Sequence, residues 1–235
     1  MKFEHTDVWG FEHALRGMRN PMNSWSKSDS KIEEYDLTGY EPKFIIGEND
    51  MKLAKSLIKS GSEHRKFLRQ IFVSVDITAP LFFWKEMDTY KIGTTANSTS
   101  SMHKLASTPI TIDCFEMGDF DDLLDTGIPI DHNEFFNYTL IPYLERLRQY
   151  YVATHDKKVW KKLIRTLPES WLQTRTITMN YENILNMYHQ RKNHKLNEWS
   201  GIDYPDKPNF VSWVRTLPYA KEFITGDDEN EPNKS

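Results

Sequence analysis

The centre of this chain reads Ile71-Phe-Val-Ser-Val-Asp-Ile-Thr-Ala-Pro-Leu-Phe-Phe-Trp84. In its first half, apolar side chains occupy every second position: Ile71, Val73, Val75 and Ile77. A period of two is typical of a strand with one buried face, so this stretch predicts a half-buried strand. The second half is an apolar run, and the composition changes abruptly to polar residues from Glu86 onward.

Helical patterns outnumber strand patterns in the rest of the chain. Apolar residues recur at helical spacing at Phe136, Leu140, Tyr143, Leu144, Leu147 and Tyr151, where Pro142 predicts a kink or a late helix start. Further predicted helices are one capped by Asp50 and ended by Gly61, one capped by Asp156 and stopped at Leu167-Pro168, one from about Tyr181 to Lys195, and a short one with Phe210, Trp213 and Val214. Thr174–Asn180 is β-branched enough for a second strand or for an extended segment that leads into the next helix. This mixed order favours the α+β class.

Composition restricts the class of protein. The 235 residues suit one domain, which we expect to span residues 1–225, followed by a disordered acidic tail at 226–235. The net charge of −4 gives no global reason to expect a nucleic-acid partner. The single cysteine, Cys114, excludes an intramolecular disulfide and a cysteine metal cluster. No signal-peptide pattern or run of 18 apolar residues occurs, so we expect a cytoplasmic protein with no membrane partner.

Two polar segments have the composition of ligand-binding loops. Between Glu86 and His103, short hydroxyl and amide side chains are crowded together with Lys91, which suits a loop that wraps an anionic ligand; the alternative is an ordinary surface loop. Residues 20–40 predict a second long polar loop, and loops of this length are often functional.

Several amides lie on the predicted helix after Asn180. They are Asn183, Asn186 and Gln190, followed by Arg191. Amides at this density either hydrogen-bond a flat polar heterocycle or form a polar outer face. His64 either binds or shuttles protons, or is simply exposed. The chain has no P-loop, no Rossmann glycine pattern, no nucleophile elbow and no zinc-ligand spacing, so a nucleotide or flavin site here is of a less standard kind.

Five separated features share their order with one enzyme family. They are His64 with Phe67, Ala79-Pro80, Asn97-x-x-Ser100, Leu167-Pro168 and Asn180-x5-Asn186-x4-Arg191. In this order and spacing the chain resembles the flavin-dependent thymidylate synthases over roughly residues 50 to 200. The resemblance implies a single domain of mixed helices with a small, mostly antiparallel sheet.

The resemblance also implies an activity. Members of that family are homotetramers with FAD at subunit interfaces, and they methylate dUMP to dTMP with methylenetetrahydrofolate as carbon donor and NADPH as reductant. No protein nucleophile is expected, because the cofactor carries the difficult chemistry. Two alternatives stay open: a related flavoenzyme that modifies another pyrimidine nucleotide at C5, and a non-catalytic nucleotide-binding relative.

Site residues follow from the same resemblance. The implied flavin-binding residues are His64, Tyr90, Lys91, Asn97, Asn180 and Asn186. The implied nucleotide-binding residues are Glu86, Ser100, Ser101, Arg165 and Arg191. No metal ligand is expected.

The chain departs from the family pattern Arg-His-Arg-x2-Ser-x-Asn-x2-Ser-x-Arg. The matching positions are Thr89-Tyr90-Lys91, Thr95 after one inserted residue, Asn97, Ser100 and Met102, so all three arginines are lost. Glu86 stands where the family has a glutamine, Glu182 where it has an arginine, and Ile164 where a phosphate-binding arginine is expected. Arg16 and Arg19, near Trp25, are candidates for the missing phosphate contacts.

Overall fold

The computed structural model describes residues 1–33, 43–100, 105–117 and 131–226. The strands in this part of the chain are β1 (Lys2–Trp9), β2 (Lys31–Glu33), β3 (Lys43–Ile45), β4 (Phe72–Pro80), β5 (Thr95–Ser98) and β6 (Leu172–Asn180). The α-helices are α1 (Phe11–Met18), α2 (Glu48–Lys59), α3 (Leu81–Met87), α4 (His132–Glu134), α5 (Ile141–Thr154), α6 (Lys157–Thr166), α7 (Tyr181–Arg191), α8 (Asn197–Ser200) and α9 (Phe210–Arg215). Short 3-10 helices span Asn20–Met22, Trp25–Lys27, Lys66–Gln70 and Ile112–Cys114, and π-helical stretches span Phe135–Leu140 and Lys221–Thr225.

These residues form two compact units. The first comprises Met1, Ile77–Thr89 and Asn97–Arg175, and the second comprises Lys2–Asp76, Tyr90–Ala96 and Thr176–Ser235. The core of the first contains Leu105, Ile110, Phe115, Phe136, Leu144 and Leu163. The core of the second includes Phe11, Leu15, Phe67, Leu68, Ile71, Tyr181, Tyr188 and Phe223. Of the predicted acidic tail, residues 227–235 lie outside the described part of the chain.

A four-stranded sheet in the order β1-β4-β6-β5 confirms the predicted strand β4. Val73, Val75 and Ile77 are fully buried, as their alternation predicts. Thr176 Oγ1 donates to Asp76 at 2.5 Å, and two residues further along each strand Thr178 faces Ser74, so β6 runs antiparallel to β4. β2 and β3 form a separate antiparallel pair. Mixed helices with this small antiparallel sheet confirm the α+β prediction.

The two segments predicted as loops contain regular structure. The segment from Glu86 to His103 contains β5, which pairs with β6. This pairing provides hydrogen-bond partners for the backbone N–H and C=O groups of the segment, which its short polar side chains would otherwise bond. Residues 20–40 contain two 3-10 helices and β2, while residues 34–42 lie outside the described part. No element was predicted for β1, α1 or α3.

Most helix boundaries agree with the predictions. Asp156 caps α6 by accepting from the Lys158 amide at 2.8 Å, and Pro142 lies in the first turn of α5, directly after the π-helical stretch. The backbone is helical without a break from His132 through Phe135–Leu140 into α5, so the helix does not start late at Pro142. The irregularity that the proline predicts is instead the π-helical stretch directly before it, since proline lacks the N–H of a regular helical bond. α7 ends at Arg191, four residues before the predicted Lys195.

Asp50 does not cap α2, which begins one residue after Gly47. Its carboxylate is fully buried and forms an ion pair with Arg19, whose Nε donates to Oδ1 at 2.5 Å. The Ser28 and Ser30 hydroxyls donate to the other oxygen at 2.7 and 2.6 Å. Burying a carboxylate requires such partners, and this need outweighs the local capping preference of aspartate.

The buried pair also corrects the hypothesis for Arg19. Its side chain is 4% exposed and donates to Asp50, Ser24 O and Lys27 O, so its guanidinium holds the fold and is not available to a phosphate. Arg16 is exposed on α1.

No helix in the described part of the chain is long and apolar enough to cross a membrane. Cys114 carries a free thiol.

We expect Asp50→Asn to lower the free energy of unfolding by about 3–5 kcal/mol, because it leaves the buried Arg19 guanidinium without a counter-charge. Urea titrations followed by far-UV circular dichroism measure the change. Asp113→Asn, at an exposed carboxylate, is the matched control and should shift the curve by less than about 0.5 kcal/mol. Equal shifts in the two variants would contradict this assignment.

The same pair predicts a pH dependence. Burial by itself raises the pKa of Asp50, but hydrogen bonds from Ser30, Ser28 and Arg19 outweigh it, so the pKa lies below its ordinary value. A lowered pKa stabilises the fold fully above about pH 4 and loses that contribution as the pH falls through the folded-state pKa. The wild-type protein should therefore lose more stability between pH 5 and 2 than Asp50→Asn does.

Candidate functional site

Helix α7 carries three of the polar residues that the resemblance implies: Asn180 at its N-cap, Asn186 and Arg191. Its inner side is buried through Tyr181, Ile184, Leu185 and Tyr188. The other side carries Asn183, Asn186 and Gln190, which are spaced three and four residues apart and so share one face. In the second unit this face meets two other segments: the loop that starts at Tyr90, and the turn that carries Arg65 and Arg69.

The N-terminus of α7 fixes the loop that follows Tyr90. Asn180 and Asn183 form a capping box in which each side-chain oxygen accepts from the other residue's backbone N–H, at 2.9 and 3.2 Å. Asn183 Nδ2 then donates to Ile92 O at 2.8 Å. Gly93 has φ +75°, and a methyl carbon there would lie 3.0 Å from Asn183 Oδ1, so glycine allows this close approach.

This arrangement explains part of the amide density on α7. The Asn183 side chain caps the helix and binds the loop backbone, which is a structural role. The side-chain oxygen of Asn180 accepts a hydrogen bond in the same cap, and Asn180 is 8% exposed. The remaining donor of Asn180, and the amide of the exposed Asn186, are the groups left for a ligand.

A buried charge cluster lies beside Asn186. The Glu182 carboxylate, 10% exposed, accepts from Arg65 Nε at 3.2 Å and from Arg69 Nε on its other oxygen. Arg65 Nη2 also donates to Asn186 Oδ1 at 3.0 Å. This bond directs the carbonyl of Asn186 toward Arg65, so the amide N–H groups of Asn186 are left to donate.

Glu182 is ionised in this cluster. Burial by itself raises the pKa of Glu182, but the hydrogen bonds and positive charges of Arg69 and Arg65 outweigh burial, so the pKa lies below its ordinary value. One carboxylate faces two guanidinium groups, so the cluster keeps a net positive charge. The Arg65 side chain is 20% exposed and the Arg69 side chain 50%.

Arg191 is held by two aromatic rings at the C-terminal end of α7. Its Nε donates to Tyr90 Oη at 2.8 Å, and that hydroxyl donates to Gln190 Oε1 at 2.9 Å. The guanidinium carbon lies 4.9 Å from the ring centroid of the buried Trp199 and 5.5 Å from that of Tyr90. Stacking and hydrogen bonding together orient the plane of the guanidinium.

His64 lies apart from these contacts. It is exposed, in the turn before the 3-10 helix Lys66–Gln70, and it lines a cavity of about 540 Å³ with Met18, Leu57 and Phe67. The walls of this cavity come from α1, α2 and the two neighbouring 3-10 helices. The structure therefore groups Tyr90 with three residues of α7 and its N-cap: Asn180, Asn186 and Arg191. His64 instead lines a cavity whose walls do not include α7.

Four other predicted site residues belong to the first unit. Glu86 lies half-buried in the last turn of α3, Asn97 is exposed on β5, and Ser100 is half-buried two residues beyond that strand. Arg165 is exposed in the last turn of α6. Lys91, in the second unit, is exposed. Ser101 and the neighbouring Met102, His103 and Lys104 lie outside the described part of the chain.

Sequence reasoning did not identify Arg65, Arg69 or Trp199 as parts of the site. Arg65 and Arg69 are four residues apart, and both form ion pairs with Glu182. Glu182 is more than 110 residues away from them in the sequence, so no local pattern indicates the pairing. Among the described residues, no group of three or more His, Cys, Asp or Glu side chains is arranged to hold a metal ion.

Comparison with known proteins bears on the fold. No protein family defined by sequence matches the chain, and no curated protein matches it by sequence. Two structures of the flavin-dependent thymidylate synthase ThyX from Helicobacter pylori, both with FAD and dUMP, align with TM-scores of 0.61. Their identities are 17% and 15%, and the alignments cover 97% and 96% of this chain and 99% and 97% of theirs.

A third structure has the same likeness. The UMP/dUMP methylase PolB from Streptomyces cacaoi, bound with 5-Br dUMP, aligns with a TM-score of 0.54 and 14% identity, covering 95% of this chain and 94% of its own. At these identities the likeness concerns the fold. The chain therefore has a fold like that of the flavin-dependent thymidylate synthases, as its sequence features predicted.

Proposed function

We propose that this protein is a flavin-dependent enzyme that methylates dUMP to dTMP, with methylenetetrahydrofolate as carbon donor and NADPH as reductant. The observation that carries the proposal is the outer face of α7, where amide donors and a stacked guanidinium lie beside the Tyr90 loop. The fold, shared with structures that contain FAD and dUMP or a brominated dUMP, supports it. From the family resemblance of the sequence, we also infer a cytoplasmic homotetramer.

The donor set at α7 fits a flavin. An isoalloxazine ring presents carbonyl oxygens and ring nitrogens that accept hydrogen bonds, and Asn186, oriented by Arg65, offers N–H donors. When bound and reduced, the flavin supplies the hydride, and the protein supplies binding, orientation and electrostatics. The residues proposed to hold it are His64, Tyr90, Lys91, Asn97, Asn180 and Asn186, joined by Arg65.

The pyrimidine would be held by one positively charged and one negatively charged side chain. Arg191 can donate to a ring carbonyl with a fixed geometry, because Tyr90 and Trp199 orient its plane. A carboxylate at Glu86 offers hydrogen-bond acceptors, so it would prefer a ring edge that carries an N–H. The residues proposed to hold the nucleotide are Glu86, Ser100, Ser101, Arg165 and Arg191.

Glu86 also fits a second candidate, a relative that acts on another pyrimidine nucleotide. A carboxylate pairs with the N3–H of uracil, and it pairs equally with the 4-amino group of cytosine. NADPH oxidation measured with dUMP and with dCMP separates the two candidates.

The first test of the proposed function is the visible absorption spectrum of the purified protein. We expect the purified protein, reconstituted with FAD if necessary, to show a flavin absorption spectrum and to oxidise NADPH when methylenetetrahydrofolate and dUMP are present, forming dTMP. A colourless protein that binds dUMP but cannot be reconstituted with FAD would instead assign it to nucleotide binding without catalysis.

Arg191→Lys should weaken dUMP binding about 10- to 100-fold, because lysine keeps the charge but loses the planar donor fork and the ring stacking. Tyr90→Phe should weaken it less, since it removes only the hydroxyl that orients Arg191. Isothermal titration with dUMP measures both. Arg215→Lys, at an exposed arginine, and Tyr204→Phe are matched controls outside the proposed site, and a loss of affinity in them as large as in the site variants would contradict the assignment.

Glu182→Gln should weaken FAD binding about 5- to 30-fold, because Arg65 loses its charge partner and Asn186 loses its fixed orientation. Fluorescence quenching of FAD on titration with the apoprotein measures the affinity. Glu12→Gln, at an exposed carboxylate of α1, is the control. Unchanged FAD affinity in Glu182→Gln, with the fold intact by circular dichroism, would show that the cluster is structural only.

A further inference from the structure

The helical hairpin formed by α5 and α6 is strongly basic in a chain that is acidic overall. Residues 141–166 carry seven lysines and arginines and two carboxylates, a local charge of +5, whereas the whole chain has −4. Both carboxylates are engaged within the hairpin. Glu145 pairs with Arg148, whose Nη2 donates at 2.6 Å, and Asp156 caps α6.

Most of this charge lies on one face of α6. The five basic side chains are Lys157, Lys158, Lys161, Lys162 and Arg165. At 100° per residue they fall within an arc of about 140°, and all five are exposed. No carboxylate in the described part of the chain forms an ion pair with any of them. We call this surface the basic face.

The opposite side of α6 is fixed in the core. Leu163 is fully buried, and Ile164 packs against the same apolar cluster, which also contains Leu144 of α5. A basic amphipathic helix that lies on a membrane inserts its apolar side between lipids. Because the apolar side of α6 is already buried in protein, the basic face is left to act by charge alone.

Aromatic side chains are exposed on α5 of the same hairpin. Tyr143 and Tyr150 are 49% and 57% exposed, and Arg146 lies between them. Their spacing of three and four residues places them along one face of α5. Cations combined with exposed aromatic rings are the groups that bind single nucleic-acid strands, the cations at phosphates and the rings at bases.

We propose that the α5–α6 hairpin binds single-stranded nucleic acid without sequence preference. The lysines of the basic face contact phosphates, and Tyr143 and Tyr150 stack on bases. Rows of cations spaced four residues apart, such as Lys157, Lys161 and Arg165, follow α6 with a rise of about 6 Å between neighbours. The overall charge predicted no nucleic-acid partner, but the charge is unevenly distributed. This proposal does not rest on the flavin chemistry, and Arg165 is the one residue that it shares with the proposed nucleotide site.

Fluorescence anisotropy with a labelled 20-nucleotide oligo(U) tests the proposal on the full chain. Wild-type protein should bind with a Kd of about 10⁻⁴–10⁻⁶ M near physiological salt, and log K should fall with log salt with a slope of about −3.5 for five phosphate contacts. The variant with Lys157, Lys158, Lys161 and Lys162 changed to glutamine should bind at least about tenfold more weakly, with a slope near −0.7. Tyr143→Ala with Tyr150→Ala should also weaken binding by about tenfold or more.

The matched control changes Lys27, Lys52, Lys55 and Lys59 to glutamine, which removes the same charge from exposed lysines of the other unit. It should keep wild-type affinity. Circular dichroism checks that each variant is folded. Four results would overturn the proposal. They are no binding of oligo(U) by wild-type protein, equal losses in the two lysine variants, binding only to vesicles with 30% phosphatidylserine, and equal affinity for poly-glutamate, which would show a surface that binds any polyanion.

Discussion

The ion cluster of Glu182 with Arg65 and Arg69 is the interaction on which the candidate site depends. A carboxylate that is nine-tenths buried is stable only with charged or hydrogen-bonding partners, and here two guanidinium groups provide them. The cluster ties the turn before β4 to the outer face of α7, although the two are more than 110 residues apart. It also sets the orientation of Asn186 through Arg65, so a structural contact determines what a ligand would meet.

Around this cluster, α7 acts as a rigid support for a short loop. The capping box at Asn180 holds the start of the helix, Asn183 holds the backbone at Ile92, and Tyr90 holds Arg191 at the other end. Two of these contacts, from Asn183 to Ile92 and from Arg191 to Tyr90, thus fix the segment from residue 90 to residue 92. A site on a rigid helix keeps its donors within the tolerance that a flat ligand demands, which a free loop does not.

Features that depend on interactions between neighbouring residues were predicted correctly from the sequence. The alternation in β4 and the cap at Asp156 depend on a few neighbouring residues, and both are present in the structure. Long-range pairings were not predictable in this way. Asp50 looked like a helix cap because capping is a local preference, but its buried pairing with Arg19 depends on a partner 31 residues away. Glu182 looked like a departure from a family pattern, and only the fold reveals the two arginines that it pairs with.

The central claim is that the outer face of α7 binds a flavin and a pyrimidine nucleotide. A crystal structure of the protein grown with FAD and dUMP at saturating concentration tests it most directly. If this face is the site, electron density for the isoalloxazine ring should lie within hydrogen-bond distance of the Asn186 amide, and density for the pyrimidine within the same distance of Arg191. The claim is contradicted if either ligand binds elsewhere and leaves α7 unoccupied. It is also contradicted if neither ligand is bound at saturating concentration.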